Sequence, residues 1–116
     1  MKKKLLSALL VATCVVSMAA CGSNKTEKEA KDDKIIVGTE AGFAPYEYMK
    51  GNEVVGIDMD IAKAIADDMG KELEIKNMDF DGALAAVASG KVDFVAAGVS
   101  IDEDRLKTMD FSHEYV

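Results

Sequence analysis

The sequence is poor in several residue types that mark specialised folds. It has no tryptophan, one proline and two cysteines in 116 residues, and aromatic residues make up only 6%. One proline and nine glycines are too few for a collagen-like chain, and two cysteines are too few for a disulfide-stapled domain. An apolar fraction of 49% argues against a mainly disordered chain. The length therefore allows at most one modest globular domain.

Basic residues are also scarce once the start of the chain is set aside. The whole sequence has 14 basic and 21 acidic residues, but residues 1–20 contain three lysines and no acid. The remaining 96 residues carry a formal charge of −10. A nucleic-acid partner is unexpected, because phosphate binding needs a basic patch. No glycine-rich phosphate loop or Cys–His spacing occurs, so no cofactor and no metal are expected.

Residues 1–20 have the layout of a secretory signal. Three lysines precede an apolar stretch that ends in small residues, and the stretch is too short to favour a membrane span. The segment Met18-Ala19-Ala20-Cys21-Gly22 then resembles a bacterial lipobox, although leucine is more usual where Met18 stands. The resemblance implies cleavage before Cys21 and acylation there, palmitate included. The alternative is ordinary secretion with a leftover thiol.

The rest of the chain divides into a tether and a folded part. Residues 21–34 are charged and almost without apolar side chains, which predicts a flexible tether. The lipobox resemblance implies that this tether is lipid-anchored at Cys21. Residues 35–116 alternate short apolar runs with helical periodicity, which predicts an α/β fold with a mostly parallel sheet flanked by helices. The predicted elements are a strand at 35–37, a loop with a small extended excursion at 43–56, a helix at 58–69, a strand around 73–75, a helix from about 81 to 89, a central strand at 92–99 and a helix start at 102–104.

Side-chain periodicity predicts which faces of the helices are buried. On the first helix Asp58 can cap the start and Gly70 can terminate the end. Its apolar stripe is expected to face the core and consists of Ile57, Ile61, Ala64, Ile65 and Met69. The second helix is expected to turn Leu84, Val87 and Ala88 inward and to end at Gly90.

Several candidate binding residues follow the predicted strands. Ligands of open α/β sheets collect outside the carboxyl ends of parallel strands. The residues delivered there are Glu40, Phe43, Phe80, Gly98, Ser100 and Arg105. Two aromatic rings, a hydroxyl and a guanidinium at one edge indicate a site for a small zwitterion.

Arg105 is the most informative of these residues, because it is the only arginine in the chain. Its rigid fork suits a carboxylate, whereas lysine is a point charge. Alternatives remain open at this point. Arg105 could form a surface ion pair with Asp102 or Asp104, the two phenylalanines could be core residues, and the Gly98 region could be a strand end that turns into a helix cap.

Seven short motifs in consistent order resemble the extracellular solute-binding proteins, family 3, of polar amino-acid ABC transporters. They are Gly38-Thr39-Glu40, Phe43-Ala44-Pro45-Tyr46, Gly56-Ile57-Asp58-Met59-Asp60, Met78-Asp79-Phe80-Asp81, Ser89-Gly90-Lys91-Val92-Asp93, Ala97-Gly98-Val99-Ser100 and Met109-Asp110-Phe111-Ser112. The resemblance implies a periplasmic-binding-protein-like type II fold, with residues 35–116 as an incomplete first lobe that stops before the second.

The resemblance also assigns roles to the candidate residues. Arg105, Ser100 and the Gly98 amide are expected to hold the α-carboxylate of an amino acid, and Phe43 and Phe80 to enclose its side chain. Glu40 replaces a more usual aspartate that reads the ligand side chain. Ligand-binding by this piece alone is expected to be weak, because half of the enclosing surface is absent.

The function implied is a monomeric lipoprotein on the outer face of the cell membrane that passes an amino acid to ABC permease subunits. The alternatives on the same fold are a cyclohexadienyl dehydratase-like enzyme and a ligand-sensing domain. We expect no enzyme, because Asp58 and Asp60 diverge on a helix and His113 lacks a nucleophile partner.

Overall fold

The computed structural model describes residues 33–116. The predicted signal at 1–20, the lipid site Cys21 and the tether up to residue 32 lie outside the described residues. The described part contains a parallel sheet, a small antiparallel sheet, two helices and one 3₁₀ turn. Within it, no helix has the length and apolar character that crossing a membrane requires.

The parallel sheet has three strands in the order β5-β1-β6. Strand β1 spans Lys34–Thr39, β5 spans Glu72–Asn77 and β6 spans Phe94–Val95. The first strand begins one residue before the predicted position and runs through Gly38, where we expected it to stop. It pairs with β5 along its whole length and with β6 over two residues. The central strand is therefore β1, and its carboxyl end lies beside those of both neighbours.

Strand β6 differs from the prediction of a central strand at residues 92–99. Only Phe94 and Val95 pair, and they do so at the sheet edge. The carboxylate of Asp93 accepts a hydrogen bond from the Ile36 N–H at 2.7 Å and so takes the place of a ladder bond. Gly98 then enters the left-handed region at φ 58°, which ends the extended run. Because the segment is almost entirely apolar, its composition did not indicate the Asp93 hydrogen bond or the turn at Gly98.

The segment at 43–56 is more ordered than the predicted loop. It forms an antiparallel sheet of β2 (Gly42–Phe43), β3 (Glu47–Lys50) and β4 (Glu53–Val55) in that order. Strands β3 and β4 are joined by a turn that contains Gly51 at φ 62°.

Helix α1 spans Ile57–Asp68 and begins on backbone carbonyls. Its N-cap is Gly56, without any side-chain hydrogen bond. The N–H groups of Ile57 and Asp58 donate instead to the carbonyls of Pro45 and Tyr46, at 3.1 and 2.9 Å. The expected cap by Asp58 is thus wrong, because the preceding turn already satisfies the free N–H groups of the first helical turn. At the other end Gly70 adopts φ 65°, as predicted.

The predicted inward stripe of α1 is also wrong, except at Ile61, which is half-buried. Ile57, Ile65 and Met69 are 43%, 39% and 51% exposed, and Ala64 is exposed as well. The buried residues of the helix are Asp58, Met59, Ala62 and Ala66. Met59 and Ala62 join Val37 in the core, with Val54, Leu73, Phe94 and Ala96 packed against them. The small side chains of Ala62 and Ala66 let this face of the helix lie close to the sheet. The larger side chains of Ile57, Ile65 and Met69 lie on the exposed side of the helix.

Helix α2 spans Phe80–Ala88, and Asp79 is its N-cap. The Asp79 carboxylate accepts a hydrogen bond from the Gly82 N–H at 2.9 Å. Ala83 and Ala86 are its buried residues. Of the residues predicted to face inward, Leu84 and Val87 are half-buried and Ala88 is exposed. Gly90 follows at φ 76°, where the helix was expected to end.

The acidic segment 102–104 does not begin an α-helix. Only a three-residue 3₁₀ turn at Arg105–Lys107 follows it. The Asp102 carboxylate accepts a hydrogen bond from the Arg105 N–H at 2.8 Å. The turn brings Arg105 back toward the loop that follows β6.

Candidate functional site

An open cleft of about 330 Å³ lies beside Phe43 and is called the Phe43 cleft here. Its lining includes Phe43, Tyr46, Gly98, Ser100 and Tyr115. The rings of Phe43 and Tyr46 stack with their centroids 5.4 Å apart and their planes inclined by 22°. Phe43 is 53% exposed, which excludes the reading of this residue as core. The pair instead presents an aromatic wall, of which sequence reasoning found only Phe43.

Gly98 forms the floor under this wall. A Cβ at this position would lie 3.1 Å from two ring carbons of Phe43, and the φ of 58° also disfavours a side chain. The N–H of Gly98 donates to Oδ2 of Asp58 at 3.2 Å. Gly98 was expected to donate this N–H to the α-carboxylate of a ligand, but the N–H is already bonded to Asp58. The structure indicates another role for Gly98. It lets the Phe43 ring lie directly on the backbone.

Arg105 is held by three neighbours. Its Nη1 donates to the carbonyl oxygen of Ser100 at 2.7 Å, and its Nε lies 3.3 Å from Oδ2 of Asp102. The guanidinium carbon lies 5.4 Å from the centre of the Phe80 ring, within the range of a cation–π interaction. The surface ion pair with Asp102 therefore exists. Among the described residues no acceptor engages Nη2, so part of the guanidinium fork remains open to an oxygen ligand.

The candidate residues thus form two groups at one edge of the parallel sheet. Arg105, Ser100 and Phe80 form one group, and Phe43 with Gly98 forms the other. Ser100 also lines the Phe43 cleft and so connects the two. Glu40 is exposed between β1 and β2, close to Gly42.

Two buried acids were missed as site residues: Asp58, which lines the cleft, and Glu47, which lies close to Gly98. Glu47 is 1% exposed, and neither of its carboxylate oxygens has a hydrogen-bond partner among the described residues. Burial raises the pKa of Glu47 from 4.5 to about 8, with further contributions from the Asp58 carboxylate and from Glu40. Asp58 is fully buried and accepts hydrogen bonds from the Gly98 N–H and from the Tyr115 hydroxyl, the latter at 2.7 Å. Burial and this bond to Asp58 raise the pKa of Tyr115.

Sequence signals for this cluster were weak. Glu47 lies between Tyr46 and Tyr48 in an alternating pattern, in which a charged residue is normally assigned to the solvent face. Asp58 stands next to the helix start, where a capping role is the usual interpretation. His113 lies in the lining of the cleft and is exposed. In the described part of the chain no three acidic, histidine or cysteine side chains converge in a way that could hold a metal ion.

The order of these features can be compared with known families. A sequence profile of bacterial extracellular solute-binding proteins, family 3, matches residues 35–116. The chain belongs to this family. The match covers all the strands and helices described above except the first residue of β1. It confirms the family expected from the seven motifs.

Related proteins agree with this assignment. The chain is 42% identical over 116 residues to the arginine-binding extracellular protein ArtP of Bacillus subtilis, covering 99% of this chain and 45% of the relative. Chains of this family that have been crystallised are similar in fold. The amino-acid ABC transporter substrate-binding protein AbpA of Streptococcus pneumoniae, bound to L-arginine, has a TM-score of 0.72 and 44% identity over 78% of this chain and 40% of its own.

Domain 1 from TmArgBP, in its arginine-bound form, has a TM-score of 0.70 and 38% identity, over 77% of this chain and 71% of its own. The family 3 chain described here spans under half the length of the curated relatives it matches. These neighbours confirm the expected fold class, a periplasmic-binding-protein-like type II α/β domain, represented here by part of the domain. The relatives are named as binding proteins rather than as enzymes.

Proposed function

We propose that this chain is the first lobe of a lipid-anchored receptor that captures an amino acid, arginine first, outside the cell and passes it to an ABC permease. Family membership supports amino-acid capture in general. The assignment to arginine comes from the ligands named for ArtP, AbpA and TmArgBP. The domain boundaries proposed are a signal at 1–20, an anchored tether at 21–34 and the lobe from 35 onward.

The orientation of Arg105 is the observation that carries the proposal. The Ser100 carbonyl and the Asp102 carboxylate fix two nitrogens of the guanidinium, and Phe80 covers its face. A pre-oriented guanidinium with an unengaged Nη2 suits the α-carboxylate of an amino acid. When Arg105 binds the α-carboxylate of the ligand, the ligand side chain can contact the aromatic wall of Phe43 and Tyr46.

The charge around the cleft suits a cationic side chain. Glu40 is exposed next to Gly42, the residue before Phe43, and the Asp58 carboxylate lines the cleft. A guanidinium stacks well on aromatic rings and pairs with carboxylates. Arginine is therefore a better match for this edge than an acidic amino acid.

Titration calorimetry with a panel of amino acids tests the proposal. We expect L-arginine to bind more tightly than L-lysine, L-histidine, L-glutamine or L-glutamate. No response to any amino acid at millimolar ligand concentrations, at which weak binding by a single lobe is still detectable, would reject amino-acid capture. Turnover of a prephenate-like acid would favour the dehydratase alternative instead.

Replacing Arg105 with lysine should weaken arginine binding by at least about tenfold. Lysine keeps the charge but loses the fork, and the loss of a bidentate charged contact costs roughly 1.5 to 3 kcal/mol. The control is Lys107→Gln, which removes an exposed charge from the same turn, where Lys107 pairs with Asp104. Calorimetry at one pH and salt concentration measures both variants. An unchanged affinity in Arg105→Lys would leave Arg105 with its ion pair to Asp102 as its only role.

Replacing Cys21 with serine should abolish lipid attachment. The hydroxyl does not replace the thiol as an acyl acceptor in the lipobox pathway, so the precursor should keep residues 1–20. Detergent phase partitioning and mass measurement of the expressed chain report the change. The matched control is Cys14→Ser, which lies within the predicted signal and should still be acylated. Lipid anchoring at Cys21 is wrong if Cys21→Ser still loses residues 1–20 and the cleaved product still partitions into detergent like the unaltered chain.

A further inference from the structure

The proposed function assigns no direct ligand contact to the two buried acids Glu47 and Asp58, although Asp58 lines the Phe43 cleft. Both Glu47 oxygens are buried without a hydrogen-bond partner in the described part of the chain. No described lysine, arginine or histidine forms a salt bridge with Glu47 or with Asp58. A buried carboxylate without a partner is costly, and two facing carboxylates cannot both ionise without strong repulsion.

The neighbours of Glu47 offer it acceptors and further negative charge. Asp58 on α1 and Glu40 in the loop after β1 both raise the pKa of Glu47, and Tyr115 and Tyr46 are further titratable groups in the same cluster. The Tyr115 hydroxyl already donates to Oδ1 of Asp58. Since the described carboxylate neighbours are acceptors, Glu47 can form a hydrogen bond with them only if its own carboxyl group is protonated. A neutral Glu47 can donate its O–H to Asp58, whose oxygens have lone pairs beyond those used by Gly98 and Tyr115.

The same pair is linked to the floor and wall of the cleft. Oδ2 of Asp58 holds the Gly98 N–H, and Oε1 of Glu47 lies 3.8 Å from the point where a Gly98 Cβ would stand. Two carbons of the Phe43 ring lie 3.1 Å from the same point. Any displacement of the pair is therefore passed to Gly98 and to the ring above it.

We propose that Glu47 and Asp58 share one proton, and that this proton positions Gly98 and the Phe43 ring for ligand binding. Loss of the proton to solvent leaves two facing carboxylates, which repel each other and separate β3 from the start of α1. The role in binding rests on the proposed function, whereas the shared proton and its effect on Gly98 do not. Glu47 and Asp58 are positioning residues and need not touch the ligand.

The test is a pH titration of the full chain, kept soluble in a mild detergent, by NMR. The side-chain carboxyl carbon of Glu47 and the amide of Gly98 are followed from pH 5 to pH 9.5. We expect both signals to move with one midpoint near pH 8, in agreement with the raised pKa of Glu47. In Glu47→Gln the Gly98 amide should no longer move over this range. The matched control is Glu53→Gln on the neighbouring strand β4, where the glutamate is exposed, and this variant should titrate like the unaltered chain.

Arginine binding by calorimetry at pH 6.5 and pH 9 supplies the second part of the test. Between pH 6.5 and pH 9 the affinity of the unaltered chain should fall by at least about threefold more than the affinity of Glu47→Gln. Titration of the ligand amine affects both proteins equally and therefore cancels in this comparison. Equal pH dependence in the unaltered chain and in Glu47→Gln would overturn the positioning role.

A Glu47 carbon that is already ionised at pH 5 and shows no titration up to pH 9.5, or a Gly98 amide that titrates equally in Glu47→Gln, would overturn the shared proton. If no amino acid binds at any pH, the proposed function fails and so does the role in binding. The NMR titration still decides the shared proton in that case.

Discussion

Replacing Glu47 with glutamine should raise the midpoint of thermal unfolding at pH 8 by at least about 5 °C. The unaltered carboxyl group is buried, and its pKa in the folded chain is raised to about 8 from 4.5. Glutamine has nearly the same shape, carries no charge at any pH and can donate its amide N–H to Asp58. For a domain of this size, 1 kcal/mol shifts the midpoint by roughly 4 to 8 °C.

The direction of the pH dependence follows from proton binding. Between pH 4.5 and pH 8 the folded chain keeps the Glu47 proton, while the unfolded chain has lost it. The stabilisation that this group contributes is full below pH 4.5 and is lost as the pH rises through about 8. The slope is at most about 1.4 kcal/mol per pH unit. In Glu47→Gln this slope should be missing, so the two proteins should differ little at pH 5 and most at pH 8 and above.

Differential scanning calorimetry at pH 5, 6.5 and 8 measures these midpoints. The exposed Glu53→Gln variant controls for the removal of one negative charge and should follow the unaltered chain. A Glu47→Gln variant that is less stable at pH 8 than the unaltered chain would show that the carboxylate is stabilising when ionised, contrary to the assignment.

Replacing Gly56 with alanine should destabilise the chain by at least about 3 kcal/mol. The residue has φ 128°, and a Cβ there would lie 2.3 Å from the Tyr46 carbonyl oxygen and 2.8 Å from that of Pro45. These carbonyls accept the hydrogen bonds that begin α1, so relief of the clash would break them. Backbone strain alone costs 1 to 3 kcal/mol, and the loss of the helix start adds to it.

Gly51→Ala is the matched control for this substitution. Gly51 also has a positive φ, of 62°, but a Cβ there would meet no atom within 4 Å. It should therefore cost only about 1 kcal/mol. Chemical denaturation followed by circular dichroism compares the two. Equal losses in both variants would show that the carbonyls of Pro45 and Tyr46 are not essential to the start of α1.

The sequence predicted the succession of strands and helices well. Hydrophobic periodicity located both helices to within about a residue at most ends, and glycines 70 and 90 stop them with positive φ as expected. Local chemistry governs these features, because a glycine in the left-handed region is set by its own backbone. The grouping of Arg105 with Ser100 and Phe80 also followed from strand order, since the ends of adjacent parallel strands meet at one edge.

Features that depend on contacts between distant segments could not be read in the same way. The role of Asp58 depends on Gly98 and Tyr115, which lie 40 and 57 residues further along the chain. The buried face of α1 depends on how close small residues let the helix approach the sheet, so Ala62 and Ala66 are buried where Ile65 was expected. A helical stripe identifies the apolar side of a helix but not which residues the rest of the fold covers.

The tie from Asp58 to Gly98 also bears on how the chain folds. The β3–β4 hairpin needs only neighbouring residues, and hairpins of this kind close within microseconds. The cleft floor, in contrast, needs Asp58 to reach Gly98 across 40 residues, and β1 is tied to the segment before Gly98 by the Thr39 hydroxyl, which donates to the Ala96 carbonyl across 57 residues. Contacts of long sequence separation form late, because the chain must first lose the entropy of the large loops between them. Partly folded chains would therefore possess the hairpin but not the floor of the cleft, and ligand capture would be confined to molecules that have completed folding.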